Sequence, residues 1–153
     1  MQETAQQYTK RILSHSEGND PMAARSKEQL TRRATPDKWS AGEIAAHLSD
    51  TEIAVGWRIR QILATNSIRL QAFDQDAWAN TFDYAHRDPA ASIELFSVLR
   101  AANVALLKSV PEKLWENYGV HEERGNESVH HMTRLMAGHD LNHLRQIEAI
   151  FAA

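Results

Sequence analysis

Residues 40–65 read SAGEIAAHLSDTEIAVGWRIRQILAT. Ser40 and Glu43 stand at the spacing of a capping box, in which each side chain satisfies one of the backbone N–H groups that a new helix leaves without an intrahelical partner. Beyond them Ile44, His47, Leu48, Thr51, Val55, Arg58, Ile59 and Ile62 recur at steps of three and four, one stripe of a helix that runs to Thr65. His47 therefore lies within or beside a buried stripe. An imidazole without a partner is costly there.

Three further helices follow from the same reasoning. Thr4 to Ser16 carries Tyr8, Ile12 and Leu13 and ends at Gly18-Asn19. Asp20-Pro21 opens a short, weakly apolar segment through Met22 and Leu30 that stops near Thr35-Pro36. Asp88-Pro89 repeats that opening, and Ile93, Phe96, Leu99, Ala102, Asn103, Leu106, Leu107 and Val110 mark a helix that stops before Pro111. Asn126 is placed to cap the last helix, where Val129, Met132, Leu135, Met136, His139, Asn142, His143, Ile147 and Ile150 follow one face. The stretch 66–87 lacks periodicity and reads as a long crossover with one helical turn at Gln75 to Thr81. The stretch 111–126 has two glycines and no stripe, and reads as a loop packed by Trp115. Without repeat or linker, residues 1–153 form a single all-α domain: a four-helix bundle with a long crossover after the second core helix.

Composition narrows the function. Lys and Arg total 17 against 20 Asp and Glu, a net charge of −3, which speaks against a nucleic-acid partner. The chain has 0 cysteines, so any metal must be held by His, Asp or Glu. The longest unbroken apolar runs, Val104 to Leu107 and Ala149 to Ala153, fall far below the ~18 residues of a membrane span. A soluble, cytoplasmic protein with no membrane partner is expected. The compositional excess is 8 histidines in 153 residues, and histidine ligates metals and titrates near neutrality.

His139 and His143 lie one helical turn apart, with Cβ atoms roughly 5–6 Å from each other on the face that carries Met132, Met136, Ile147 and Ile150. A single inward histidine is more often a hydrogen-bonded core residue than a ligand. With His47, three inward imidazoles favour a shared divalent transition metal, Zn2+ or Ni2+ first, with Fe2+ or Mn2+ as alternatives. Three protein ligands leave a position for water or substrate. Asp50, three residues after His47, is the candidate general base or fourth ligand. Asp140 reads as solvated or as orienting an imidazole on a neighbouring helix, and Glu43 and Glu148 are further acids to watch. Arg58 and Arg60 are candidates for an anionic substrate group, although such arginines commonly pair at the surface. His15 and His86 read as exposed. Glu127 with His130 supplies only one of the two Glu-x-x-His motifs that a di-iron bundle needs. The sequence His121-Glu122-Glu123-Arg124 reads as loop, and Trp39, Trp57, Trp78 and Trp115 as core or pocket lining.

The stretches WSAGEIAAHLSDTE (39–52), DAWA (76–79), FSVLR (96–100) and GHDLNHLRQIEAI (138–150) together resemble the DinB-like, or DinB/YfiT, superfamily over nearly the whole chain. That resemblance implies a four-helix bundle with a long connection after the second helix. It implies a metal triad of one histidine from that helix and the HxxxH of the last, here His47, His139 and His143. Characterised relatives include transferases and isomerases that use low-molecular-weight thiols such as bacillithiol or mycothiol, and many others are assigned as metal-dependent hydrolases.

Two classes of function stay open. One is an enzyme whose metal makes a nucleophile of water or of a thiol cosubstrate, acting on a small molecule. The other is a noncatalytic metal-stabilised bundle, binding a ligand or a partner. A homodimer through an exposed helix face is expected in either case.

Overall fold

A computed structural model describes Met22 and residues 24–152. The expected helix Thr4 to Ser16 and the opening at Asp20-Pro21 lie outside the described residues. Helix α1 (Lys27–Thr31) starts at Ser26, whose side chain closes a capping box with Gln29. Helix α2 (Ala41–Ala64) opens at Ser40 with the expected box: Glu43 N–H donates to Ser40 Oγ, and Ser40 N–H donates to a Glu43 carboxylate oxygen. Glu43 also pairs with Arg33, which holds its carboxyl below the ordinary range against the opposing effect of burial. Strand β1 (Ile68–Leu70) and helix α3 (Gln75–Thr81) occupy the crossover. Helix α4 (Pro89–Ser109) has Asp88 as its cap and proline in its first turn. A 3-10 turn (Glu112–Glu116), strands β2 (Tyr118–His121) and β3 (Gly125–Ser128) and helix α5 (Val129–Ala152) complete the chain.

Helix α2 is the axis of the bundle. Ile44, Ala45 and Leu48 near its start pack with Ile147 and Ile150 of α5, while Ile59 and Ile62 near its end pack with Val129 and Met132. The two helices are therefore antiparallel. Helix α4 instead runs parallel to α2, since Pro89 abuts Gly42 at one end and Asn103 abuts Gly56 further on. A long crossover is what a parallel neighbour demands. At Gly56 a Cβ would stand 2.6 Å from the Asn103 side chain, so the close approach of α2 and α4 depends on the missing methyl.

The sheet departs from the sequence expectation. β1 pairs in parallel with β2, and β2 pairs antiparallel with β3. The segment read as a loop is thus a hairpin, whose length is too short to show a period-2 pattern. Gly125, with φ of +73°, closes its turn, and His121 is buried on β2, its Nδ1 accepting from the backbone N–H groups of Glu123 and Arg124. Asn126 lies inside β3 and does not cap α5. Ser128 does so, with Oγ accepting from His131 N–H. By length and composition Pro89–Ser109 would suffice to cross a membrane, a property hidden from a search for unbroken apolar runs by its interspersed polar residues. Here its Arg100 and Asn103 are buried against α2.

Candidate metal centre

His47 projects from α2, and His139 and His143 from one face of α5. Their rings lie together, with centroids 5.0 Å apart for His47 and His139, 4.9 Å for His47 and His143, and 4.5 Å for His139 and His143. One ring nitrogen from each falls within 4.8 Å of the others. His47 Nε2 and His139 Nε2 are 2.9 Å apart. The outward nitrogens explain why the inward ones converge. His143 Nδ1 is 2.9 Å from Gln146 Oε1, and His139 Nδ1 is 3.2 Å from Asp140 Oδ1. Both contacts set an acceptor oxygen against Nδ1 and leave Nε2 on the inward side, the arrangement a ligating imidazole needs. His47 Nδ1 is buried without a partner, so the hydrogen bonding of that ring falls to Nε2, which faces His139.

Burial also sets the protonation. Desolvation, reinforced by the adjacent His139 and His143 and opposed by Asp140, lowers His47 to about 3. Burial and His139 lower His143 too, against Gln146 and Asp140. Near neutral pH these rings are uncharged and able to donate to a cation. Three imidazole nitrogens, two of them on the buried His47 and His143, fit a divalent transition ion. The same shifts fix the pH response of the metal-free protein. Between pH 6.5 and 3 the unfolded chain binds protons that the folded chain refuses, so stability is fully present above 6.5 and falls with acidification. Melting curves of chelated protein at pH 7.5 and 4.5 are expected to show a loss on the order of 1–3 kcal/mol from His47. Equal Tm at both values would contradict the buried, neutral assignment.

Asp50 is buried on α2, and its Oδ2 accepts from Tyr84 O–H at 2.8 Å and from Arg87 at 2.9 Å. Burial, then the bond to Asp50, raises the Tyr84 hydroxyl well above its ordinary value. Trp39 links this turn to the histidines, its ring 5.1 Å from His47 and 6.2 Å from Tyr84. Asp140 is not solvated as expected. It bonds the ring of its own neighbour and accepts from Arg100 at 2.5 Å. Arg100, buried on α4, also donates to Glu52 of α2, which takes a further bond from Asn103. Arg58 donates to the Gln71 carbonyl and Arg60 to Asn103 and the Gly56 carbonyl, so these bonds tie both arginines to the scaffold. Glu148 and His86 are exposed. Trp57, expected as core or pocket lining, is 60% exposed, because its stripe position is one step off the buried side of α2. Trp78 meets Phe73 and Phe82 edge-to-face on the crossover.

Arg100, Glu52 and Gln146 carry roles the sequence did not announce. Gln146 stands three residues after His143, a spacing that signals contact on a helix. Arg100 and Glu52 are on different helices and have no local signal.

The sequence model of the DinB superfamily matches residues 19–147. A protein of Oceanobacillus iheyensis named "Putative metal-dependent hydrolase" is 25% identical over 121 residues, 79% of this chain and 69% of that protein. One of the same description from Bacillus licheniformis is 25% identical over 125 residues, 81% of this chain and 71% of that protein. Among solved structures, YfiT from Bacillus subtilis, described as a probable metal-dependent hydrolase with an unusual four-helix bundle topology, aligns with a TM-score of 0.84 and 18% identity. The alignment covers 96% of this chain and 87% of that one, a likeness of fold.

Proposed function

The chain belongs to the DinB superfamily, and from that premise we propose that it is a metal-dependent enzyme acting on a small molecule, with His47, His139 and His143 as the ligands of one divalent transition ion. The observation that carries this is the convergence of three ring nitrogens, with two of the outward nitrogens already occupied. Such an ion would supply a Lewis acid able to make a nucleophile of water or of a thiol near neutral pH. Hydrolysis is the reaction the similar proteins' names support. Transfer of a low-molecular-weight thiol is the second form, with the thiol brought in as cosubstrate because the chain has no cysteine.

The protein's own part is to hold the three rings together, keep the buried His47 and His143 neutral and accept a proton. We assign the last role to Asp50, fixed by Tyr84 and Arg87. Exposed Ile53, Trp57 and Val98 on α2 and α4 support a homodimer, and we place the protein in the cytoplasm.

Protein purified without a histidine tag should contain one Zn2+ or Ni2+ per chain, at twice 17.3 kDa by light scattering. It should turn over esters or amides, or join a thiol to an electrophile, and lose that activity with chelator. Asp50→Asn should lower turnover about 10²–10⁴-fold with the metal retained. Metal uptake without turnover in either panel would favour a noncatalytic binding bundle. No uptake of any of the four ions would end the metal reading.

A further inference from the structure

We propose that Asp140, held in place by Arg100, fixes His139 as the tautomer protonated at Nδ1 and so keeps the Nε2 lone pair turned toward His47 and His143. Asp140 and Arg100 are positioning residues in this assignment, which rests on the metal-binding reading above.

The two oxygens of Asp140 have different partners. Oδ2 accepts from Arg100, which can only donate, and Oδ1 faces His139 Nδ1. A carboxylate has no proton to give, so the Nδ1 position must carry one. Arg100 cannot swing away, because its guanidinium is buried and also donates twice to Glu52. Glu52 is in turn bound by Asn103, which accepts from Arg60. A chain of hydrogen bonds across α2, α4 and α5 thus ends on one histidine. Glu52 and Asp140 are matched in this chain by Arg100 and Arg60, and Asp140 is the charged member that touches a ring. Asp140 acts electrostatically on both His47 and His143, which favours a cation at the point the rings share. With Nε2 of His139 a lone pair, the 2.9 Å contact to His47 Nε2 requires His47 to donate in the metal-free protein. That leaves His47 Nδ1 an unpartnered acceptor, cheaper to bury than an orphaned N–H.

The consequence is specific to the chemistry of the side chain. In Asp140→Asn, Arg100 still demands an oxygen, so the amide NH2 turns to His139 Nδ1. The ring proton must move to Nε2, and His47 must then accept there. Asp140→Ala imposes no such reversal. The test is two-bond 1H–15N spectroscopy of histidine-labelled, metal-free protein, with zinc affinity by chelator competition and circular dichroism to establish folding. The wild type should show His139 protonated at Nδ1 and His47 at Nε2, and Asp140→Asn should show the reverse. Zinc affinity should fall about 10–100-fold in Asp140→Asn, and less in Asp140→Ala. An unchanged His139 tautomer in Asp140→Asn, or a wild-type His139 protonated at Nε2, would overturn the proposal. The spectra need no bound metal, so a wild type that binds no zinc defeats the metal reading separately from the tautomer assignment.

Discussion

Replacing His143 with alanine is expected to abolish turnover and to weaken metal binding at least about 100-fold, because a lost ligand should cost no less than a disturbed outer partner. The fold should survive. His143 is buried, but its side-chain partner Gln146 is exposed, so the bond between them lies at the surface of α5. The metal-free variant should therefore melt close to the metal-free wild type. The loaded proteins should differ: at metal one hundred times above Kd the ion stabilises the wild type by about 2.7 kcal/mol, and the variant should lose most of that. Differential scanning calorimetry with and without metal reads both quantities. A metal-free variant that no longer folds would mean that the ring itself supports the bundle. Full turnover after the change would remove His143 from the site.

The second large effect is expected at Arg100. Its guanidinium is buried between Glu52 and Asp140, on three different helices, and these two carboxylates, after the opposing effect of burial, raise its pKa above the ordinary arginine value. Arg100→Met would leave the buried Glu52 and the half-buried Asp140 without their counter-charge. Breaking a buried pair in this way costs about 3–5 kcal/mol, and for a domain of this size each kcal/mol lowers Tm by about 2–4 °C. The melting temperature should drop by roughly 6–20 °C by that arithmetic. Adding Glu52→Gln should return part of the loss by removing one orphaned charge. A single substitution that leaves Tm within a degree would show that water reaches these groups.

What could be read from the chain alone was whatever repeats within a helix. The box at Ser40 and Glu43, the Asp-Pro start of α4 and the stripe through His139 and His143 each depend on neighbours at most four residues away. Capping and periodicity are local chemistry, so they survive without coordinates. The strands did not show, because β1, β2 and β3 contain only three or four residues each and are held by pairing between distant segments. The same holds at the candidate centre. Inward histidines on two helices could be named, whereas the Arg100 bridge joins three helices and depends on how they pack. Asp140 departs from a solvated reading for a related reason: its adjacent ring partner is evident in sequence, but the cation that pairs with it is not.

The small sheet bears on which lengths of chain this architecture tolerates. β1 follows α2 almost at once and β2 leads through β3 into α5, so the ladder pairing Ile68 with Gly119 acts as an end-stop for the two histidine-bearing helices. One residue more or fewer between Thr65 and Ser67 would slide that stop by ~3.3 Å, far outside the ~0.2 Å tolerance of ligand bonds to an ion. Between Ala72 and Phe82, short of the Tyr84 and Arg87 anchors on Asp50, no such gauge applies. Insertions and deletions across relatives should accordingly crowd into the latter stretch and spare the former.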